Sequence, residues 1–113
     1  TGNAMKALSV KQPWANLIAS GEKTIETRTW STSYRGELLI VSSKQPSIPP
    51  AGKALAIVQL VKCRPMKKAD EDAARCSYYS GAYAWVFKDI RAITPFPVRG
   101  YPGLYDVEYP ERD

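Results

Sequence analysis

The sequence predicts an α+β domain that is mainly β, a small barrel of five or six strands with two or three short helices. Three observations lead there. Segments that read as strands outnumber segments that read as helices. Nine prolines and seven glycines punctuate the chain and keep those segments short. The 113 residues, 44% hydrophobic and 24% charged, supply one core and one domain of ordinary size.

The elements are taken in chain order. Thr1 to Ala4, ahead of Met5, read as an expression scar and are set outside the fold, so that residues 5–113 are expected to form the domain. Residues 6–10, KALSV, suit a strand. Pro13 suits the first turn of a helix, where its missing N–H has no intrahelical partner in any case. Trp14, Leu17 and Ile18 then recur at helical spacing, and Gly21 provides a stop that tolerates positive φ. A short helix over about Pro13 to Ser20 is predicted, with Trp14 in the core because Leu17 and Ile18 share its face.

Residues 24–30 alternate as a strand, with Thr24, Glu26, Arg28 and Trp30 on one face and Ile25, Thr27 and Thr29 on the other. Ser31 to Gly36 turn the chain. Residues 37–43, ELLIVSS, are apolar enough for a strand covered on both faces. SKQPSIPPAG is a loop. A long strand is predicted over Lys53 to Cys63 and a second short helix over Lys67 to Cys76, whose early Asp70, Glu71 and Asp72 and late Arg75 match the helix dipole. Tyr83 to Ile93 form a further strand. Pro95, Pro97, Gly100, Pro102 and Gly103 punctuate the rest of the chain, and LYDVEY closes the sheet. Cys63, Cys76 and Trp85 read as core.

Composition also excludes chemistry. With no histidine in the chain, Ser-His-Asp and Cys-His catalysis are impossible. Two cysteines outside any metal spacing give no zinc site and read as free thiols. There is no GxxxxGK loop and no GxGxxG. Apolar runs fall short of the roughly 18 residues that cross a bilayer, and no signal peptide is visible. A cytoplasmic protein with no membrane partner is therefore expected, with a monomer favoured. The net charge of +5 favours a polyanionic partner.

The charged residues concentrate early. Lys11 precedes the first helix, where it either points into solvent or joins the helix N–H groups in holding an anion. Glu26, Arg28 and Trp30 share a strand face that is either a ligand surface or a solvated face with an exposed ion pair worth about 0–1 kcal/mol. Tyr78 and Tyr79 either stack bases or anchor a loop, the latter being favoured.

These residues also carry a resemblance. LSVKQPWANLIASGEKTIETRTWSTSYRGELLIVSS, residues 8–43, resembles the ASCH domain, the module named for homology to activating signal cointegrator. The pattern is carried by Leu8, Ser9, Gln12, Pro13, Trp14 and Ala15, then Gly21, Lys23, Glu26 and Arg28, then Trp30, then Tyr34, Arg35, Gly36, Leu38 and Ile40. AYAWVFKDIRAI and FPVRGYPGLYDVE resemble the later strands of the family more loosely. The resemblance implies a PUA-like barrel, similar to RNA-binding PUA domains, with a basic ligand cleft beside the first helix. The candidate ligand-binding residues are Lys11, Gln12, Trp14, Lys23, Glu26, Arg28 and Ser43, with no metal and no cofactor.

Two function classes are implied by it. The first is a binding module for RNA, a nucleotide or a nucleoside. The alternative is a metal-independent hydrolase of RNA or of N-acetylcytidine, with Lys23 and Glu26 as its catalytic residues. One branch of the family resembles this chain at Lys23 and deacetylates N-acetylcytidine with a lysine base and a threonine nucleophile. Here Glu26 stands in the threonine's place, and Thr24 and Thr27 are out of register with it. A carboxylate there favours a charged Lys23, which suits a binder better than a base, so deacetylation is expected to be weak or absent.

Overall fold

The run Leu38-Leu39-Ile40-Val41 has no solvent side. All four residues are buried, Leu38 and Ile40 in one hydrophobic cluster and Leu39 and Val41 in another on the opposite face of the same sheet. The computed structural model, which describes residues 3–110, is built around this doubly covered strand.

The elements are β1 (Asn3–Val10), α1 (Trp14–Ala19), β2 (Ile25–Arg28), β3 (Gly36–Ser42), β4 (Lys53–Pro65), a 3-10 turn (Lys68–Asp70), α2 (Glu71–Ala74), β5 (Tyr83–Pro97) and β6 (Leu104–Tyr109). The six strands form one sheet in the order β2-β5-β4-β3-β1-β6. Only β1 and β3 pair in parallel, through Ala7 with Leu39 and Val10 with Ser42; the other ladders are antiparallel. The chain between the parallel strands carries α1 and β2, and so brings the GEKTIETR segment across one face of the sheet.

The sheet curls without closing through hydrogen bonds among the described residues. Both β4 and β5 carry bulges, β4 at Leu55 and Val61. Between Gln59↔Lys88 and Ile57↔Arg91 the strand β5 carries one extra residue, and between Ala56↔Ala92 and Ala54↔Phe96 it carries two more. Such bulges bend a strand and raise its local twist; Asp89, at φ 51°, takes up the first. The far half of β5 thus swings round to β6, where Phe96 meets Tyr109 edge to face at 5.5 Å. Side chains complete what the backbone leaves open, giving a barrel-like form.

Several boundaries differ from the sequence reading; β4, for one, runs to Pro65 rather than ending at Cys63. Strand β1 begins at Asn3, and Ala4 pairs with Glu108, so Ala4 belongs to the sheet rather than outside it. Strand β2 stops at Arg28, and Trp30 leaves it to pack over the core. The second helix is only a 3-10 turn and one short α segment. Strand β5 runs through Pro95 and Pro97 instead of ending before them. Beyond Val86 it has no β2 neighbour, and a strand with a free side accommodates residues that lack an N–H.

On the α1 side, Ala15 and Ile18 pack on Leu8, Val10, Val58, Leu60 and Trp85. Trp85 is fully buried, as read from the sequence, whereas Cys63 and Cys76 are only partly so and both are free thiols. Among the described residues no helix is long and apolar enough to cross a membrane.

Asp70 turns back rather than serving the dipole of α2. Its carboxylate accepts Arg64 Nη1 at 2.7 Å and Nη2 at 2.9 Å, and the Lys67 N–H at 2.8 Å. The paired guanidinium holds the carboxyl well below the usual range, at about 2. A depressed carboxylate pKa stabilises the fold above the unfolded value and loses that effect as pH falls through the folded one. The contribution is about 2 kcal/mol at neutral pH. Asp70→Asn should therefore be less stable than wild type by that order at pH 7. Denaturation curves in a pH series should show the gap closing between about pH 4 and pH 2.

Candidate functional site

Gly21, at φ +84°, ends α1 in a conformation that other residues adopt only with strain. The chain reverses there and Lys23 N–H bonds back to Leu17 O at 2.9 Å. This sharp passage sends the Lys23 side chain inward, where it is 1% exposed. Strand β2 then pairs with the start of β5, Glu26 opposite Trp85 and Arg28 opposite Tyr83. Side chains two apart share a face, and Glu26 Oε2 accepts Arg28 Nε at 2.9 Å.

Three charges lie in sequence from the interior outward. Lys23 Nζ donates to Ala74 O and lies 3.5 Å from Glu26 Oε1. Glu26, 8% exposed, bridges to Arg28. Arg28 Nη2 reaches across to β1 and donates to Ser9 O at 2.6 Å. Burial is the largest influence on Lys23 and lowers its pKa; Glu26 opposes that effect, and Arg28 adds a smaller lowering. One of the two alternatives that the sequence left open made the Glu26–Arg28 pair an exposed bridge of small worth. The carboxylate is in fact buried, because it is the counter-ion of an interior lysine.

Arg28 opens onto a cleft of about 550 Å³. Its sides come from the end of β1 and the next residue (Ser9 to Lys11), from Trp14 of α1, from Glu26 to Trp30, from Ser43 after β3, from Tyr79, and from Tyr101 to Gly103 before β6. Trp30 stands edge-on to Trp85 at 4.8 Å, and Trp85 Nε1 donates to Trp30 O at 3.3 Å. The cleft therefore rests on the core. Gly100 lets the last loop approach closely, since a Cβ there would lie 2.9 Å from Ser9 Oγ. That hydroxyl shares a 2.6 Å hydrogen bond with Tyr105 Oη.

Of the candidate residues, the structure brings Lys11, Trp14, Glu26, Arg28 and Ser43 to the cleft. Gln12 and Lys23 lie outside its lining. Gln12, 3% exposed, donates to Asn16 Oδ1 at 3.0 Å and Ser42 Oγ at 3.1 Å and accepts the Asn16 N–H. It joins α1 to β3. Lys23 stands behind Glu26. Trp14 is not a core residue: it is 36% exposed, with Nε1 donating to Arg75 O at 3.3 Å, because the buried face of α1 is centred on Ala15 and Ile18 rather than on Trp14 and Leu17. Tyr79 and Tyr101 also face the cleft and are largely exposed. Tyr101 was missed in the sequence. Its only signal was an aromatic placed in the Gly- and Pro-rich run RGYPG, where it had little core to pack on.

The fold is strand-rich and barrel-like, with a cleft beside its first helix lined by Lys11, Glu26, Arg28 and several aromatic rings. The chain belongs to the ASCH domain family, whose model matches residues 8–97. It is 27% identical to human activating signal cointegrator 1 and 28% identical to the mouse protein, over 89% of its own length in both cases. It spans 22% of the length of each of these relatives. The crystal structure of ASCH from Zymomonas mobilis shares its fold at a TM-score of 0.73 and 17% identity, covering 91% of this chain and 87% of that one. A tyrosine-to-phenylalanine mutant of that Zymomonas protein matches at a TM-score of 0.72, again at 17% identity, covering 91% of this chain and 89% of the mutant.

The geometry makes two outcomes testable. Glu26→Ala strands the interior ammonium and should cost about 3 kcal/mol in chemical denaturation, more than Arg28→Ala. The double change Lys23→Met with Glu26→Gln should recover most of that loss. Trp14→Ala should cost only about 1 kcal/mol, against about 3–5 kcal/mol for Trp85→Ala, when thermal melts of the two variants are compared.

Proposed function

We propose that this chain, as a single ASCH domain spanning β1 to β6, binds single-stranded RNA in the cleft beside α1. The observation that carries the reading is the setting of Arg28. Its Nε and Nη2 are fixed by Glu26 and Ser9 O, so the guanidinium is oriented before a ligand arrives. Among the described residues Nη1 has no hydrogen-bonded partner, and Lys11 stands exposed on the same cleft. Fixed cationic forks suit phosphate oxygens. Trp14, Tyr79 and Tyr101 offer exposed rings around them, and unpaired bases stack on such rings with little sequence preference. In this reading Lys11, Trp14, Arg28 and Ser43 touch the ligand, Glu26 and Lys23 position Arg28, and Gln12 holds α1 in place.

Fluorescence anisotropy with labelled oligoribonucleotides tests this. Affinity should fall steeply between about 50 and 200 mM salt, as counterion release requires. Arg28→Ala should weaken binding at low salt by about tenfold or more. A flat anisotropy trace for the unmodified protein at low salt would refute RNA as the ligand and leave a mononucleotide or nucleoside.

A further inference from the structure

A second groove of about 440 Å³ abuts the first cleft, sharing Ser9, Ser43, Tyr101 and Pro102 with it. It runs on between the segment after β3 and the segment after β5, and its charged lining residues are Lys44 and Arg99. A third, shallower depression continues past the same two side chains. No acidic residue lines either of these grooves, whereas Glu26 lines the first cleft. Among the described residues no carboxylate forms an ion pair with Lys44 or Arg99. The Arg99 guanidinium lies 5.5 Å from the centre of the Tyr101 ring, and Tyr101 is the residue at the junction of the two spaces.

We infer that the second groove is the continuation of the RNA site, a subsite in which Lys44 and Arg99 hold the phosphate of the nucleotide next to the one in the first cleft. The inference rests on the RNA-binding reading and gives it a substrate class, a polynucleotide strand rather than a free nucleotide. Each cavity falls within the ordinary range for one small ligand, roughly 300–1,000 Å³. Ser43, shared by the two linings, offers a hydroxyl to a sugar–phosphate backbone passing between them. Tyr101, with a cation against its ring, separates two bases while remaining able to stack on either. Two cations with no carboxylate beside them form a track for a polyanion.

The test compares a labelled uridine monophosphate with a labelled octauridylate, using wild type, Lys44→Gln with Arg99→Gln, and Lys62→Gln with Lys68→Gln. The last variant removes the same charge from exposed positions outside the grooves. The wild type should bind the octamer more tightly than the mononucleotide. The groove variant should lose most of that gain, at least about tenfold, with its salt slope on the octamer reduced by about 0.7, one single-strand phosphate contact. The Lys62 and Lys68 variant should keep both the gain and the slope. A groove variant that matches wild type on the octamer overturns the second subsite and leaves RNA binding in the first cleft standing. Equal losses in the two variants also overturn it, since bulk charge then explains the effect. A wild type that does not bind the octamer overturns the RNA reading and the subsite together.

Discussion

Burying the ammonium of Lys23 costs several kcal/mol unless a counter-charge meets it, and the cleft is arranged around that requirement. Glu26 supplies the counter-charge, which brings a carboxylate under cover; Arg28 then meets the other oxygen of Glu26 and fixes its own guanidinium against Ser9 O. The charges alternate from the interior to the solvent, plus, minus, plus. Each group is held by the one behind it. A cation reaching a ligand from the end of such a chain has lost much of its side-chain freedom beforehand, which lowers the entropic cost of binding. The same chain ties three elements together, since Lys23 also bonds to Ala74 O at the end of α2 and Arg28 spans from β2 to β1.

The rigidity of the cleft has a second source in the core. Trp85 lies opposite Glu26 across the β2–β5 ladder, is wholly buried, and carries Trp30 on its edge. A ring at the cleft floor is thus seated on a ring in the core. Strand β5 contributes twice, pairing with β2 through its first four residues and then bending at its bulges to reach β6. The bend gathers the segments from Val98 to Gly103 beside Ser9 and Ser43, residues far apart in sequence.

Much of this was legible in the sequence. Alternation identified β2 and the shared face of Glu26 and Arg28, the continuous apolar run identified β3 as covered on both sides, and Gly21 marked the reversal that sends Lys23 inward. The ASCH pattern pointed to the cleft and to Arg28. What failed did so for tertiary reasons. Trp14 has core spacing with Leu17 and Ile18, yet the sheet takes up a different face of the helix, and rotation of a six-residue helix about its axis is set by what it packs on. Pro95 and Pro97 looked like terminators because their tolerance depends on β5 having a free side there, which only the sheet order reveals. The burial of Glu26 was not legible because its partner, Lys23, stands outside strand β2. The second groove, with Tyr101 and Arg99, is formed by loops brought together by β5, and no local pattern announces it.

The arrangement of Glu26 also bears on what kind of chemistry the cleft supports. A general base must present a carboxylate oxygen, or an amine, to the proton it removes. Glu26 faces a cation with each oxygen, Lys23 at 3.5 Å and Arg28 at 2.9 Å, and Lys23 is shut behind it. Glu26 lines the cleft with each oxygen engaged by a cation, and Lys23 lies outside the lining. What the cleft does present is Arg28, Lys11 and the exposed rings of Trp14, Tyr79 and Tyr101. The hydroxyl residues Ser9, Thr27, Thr29 and Ser43 lie among these cations and rings. On the proposed RNA-binding reading, the acidic residue of the site is a positioning group whose worth is measured by how well Arg28 is held.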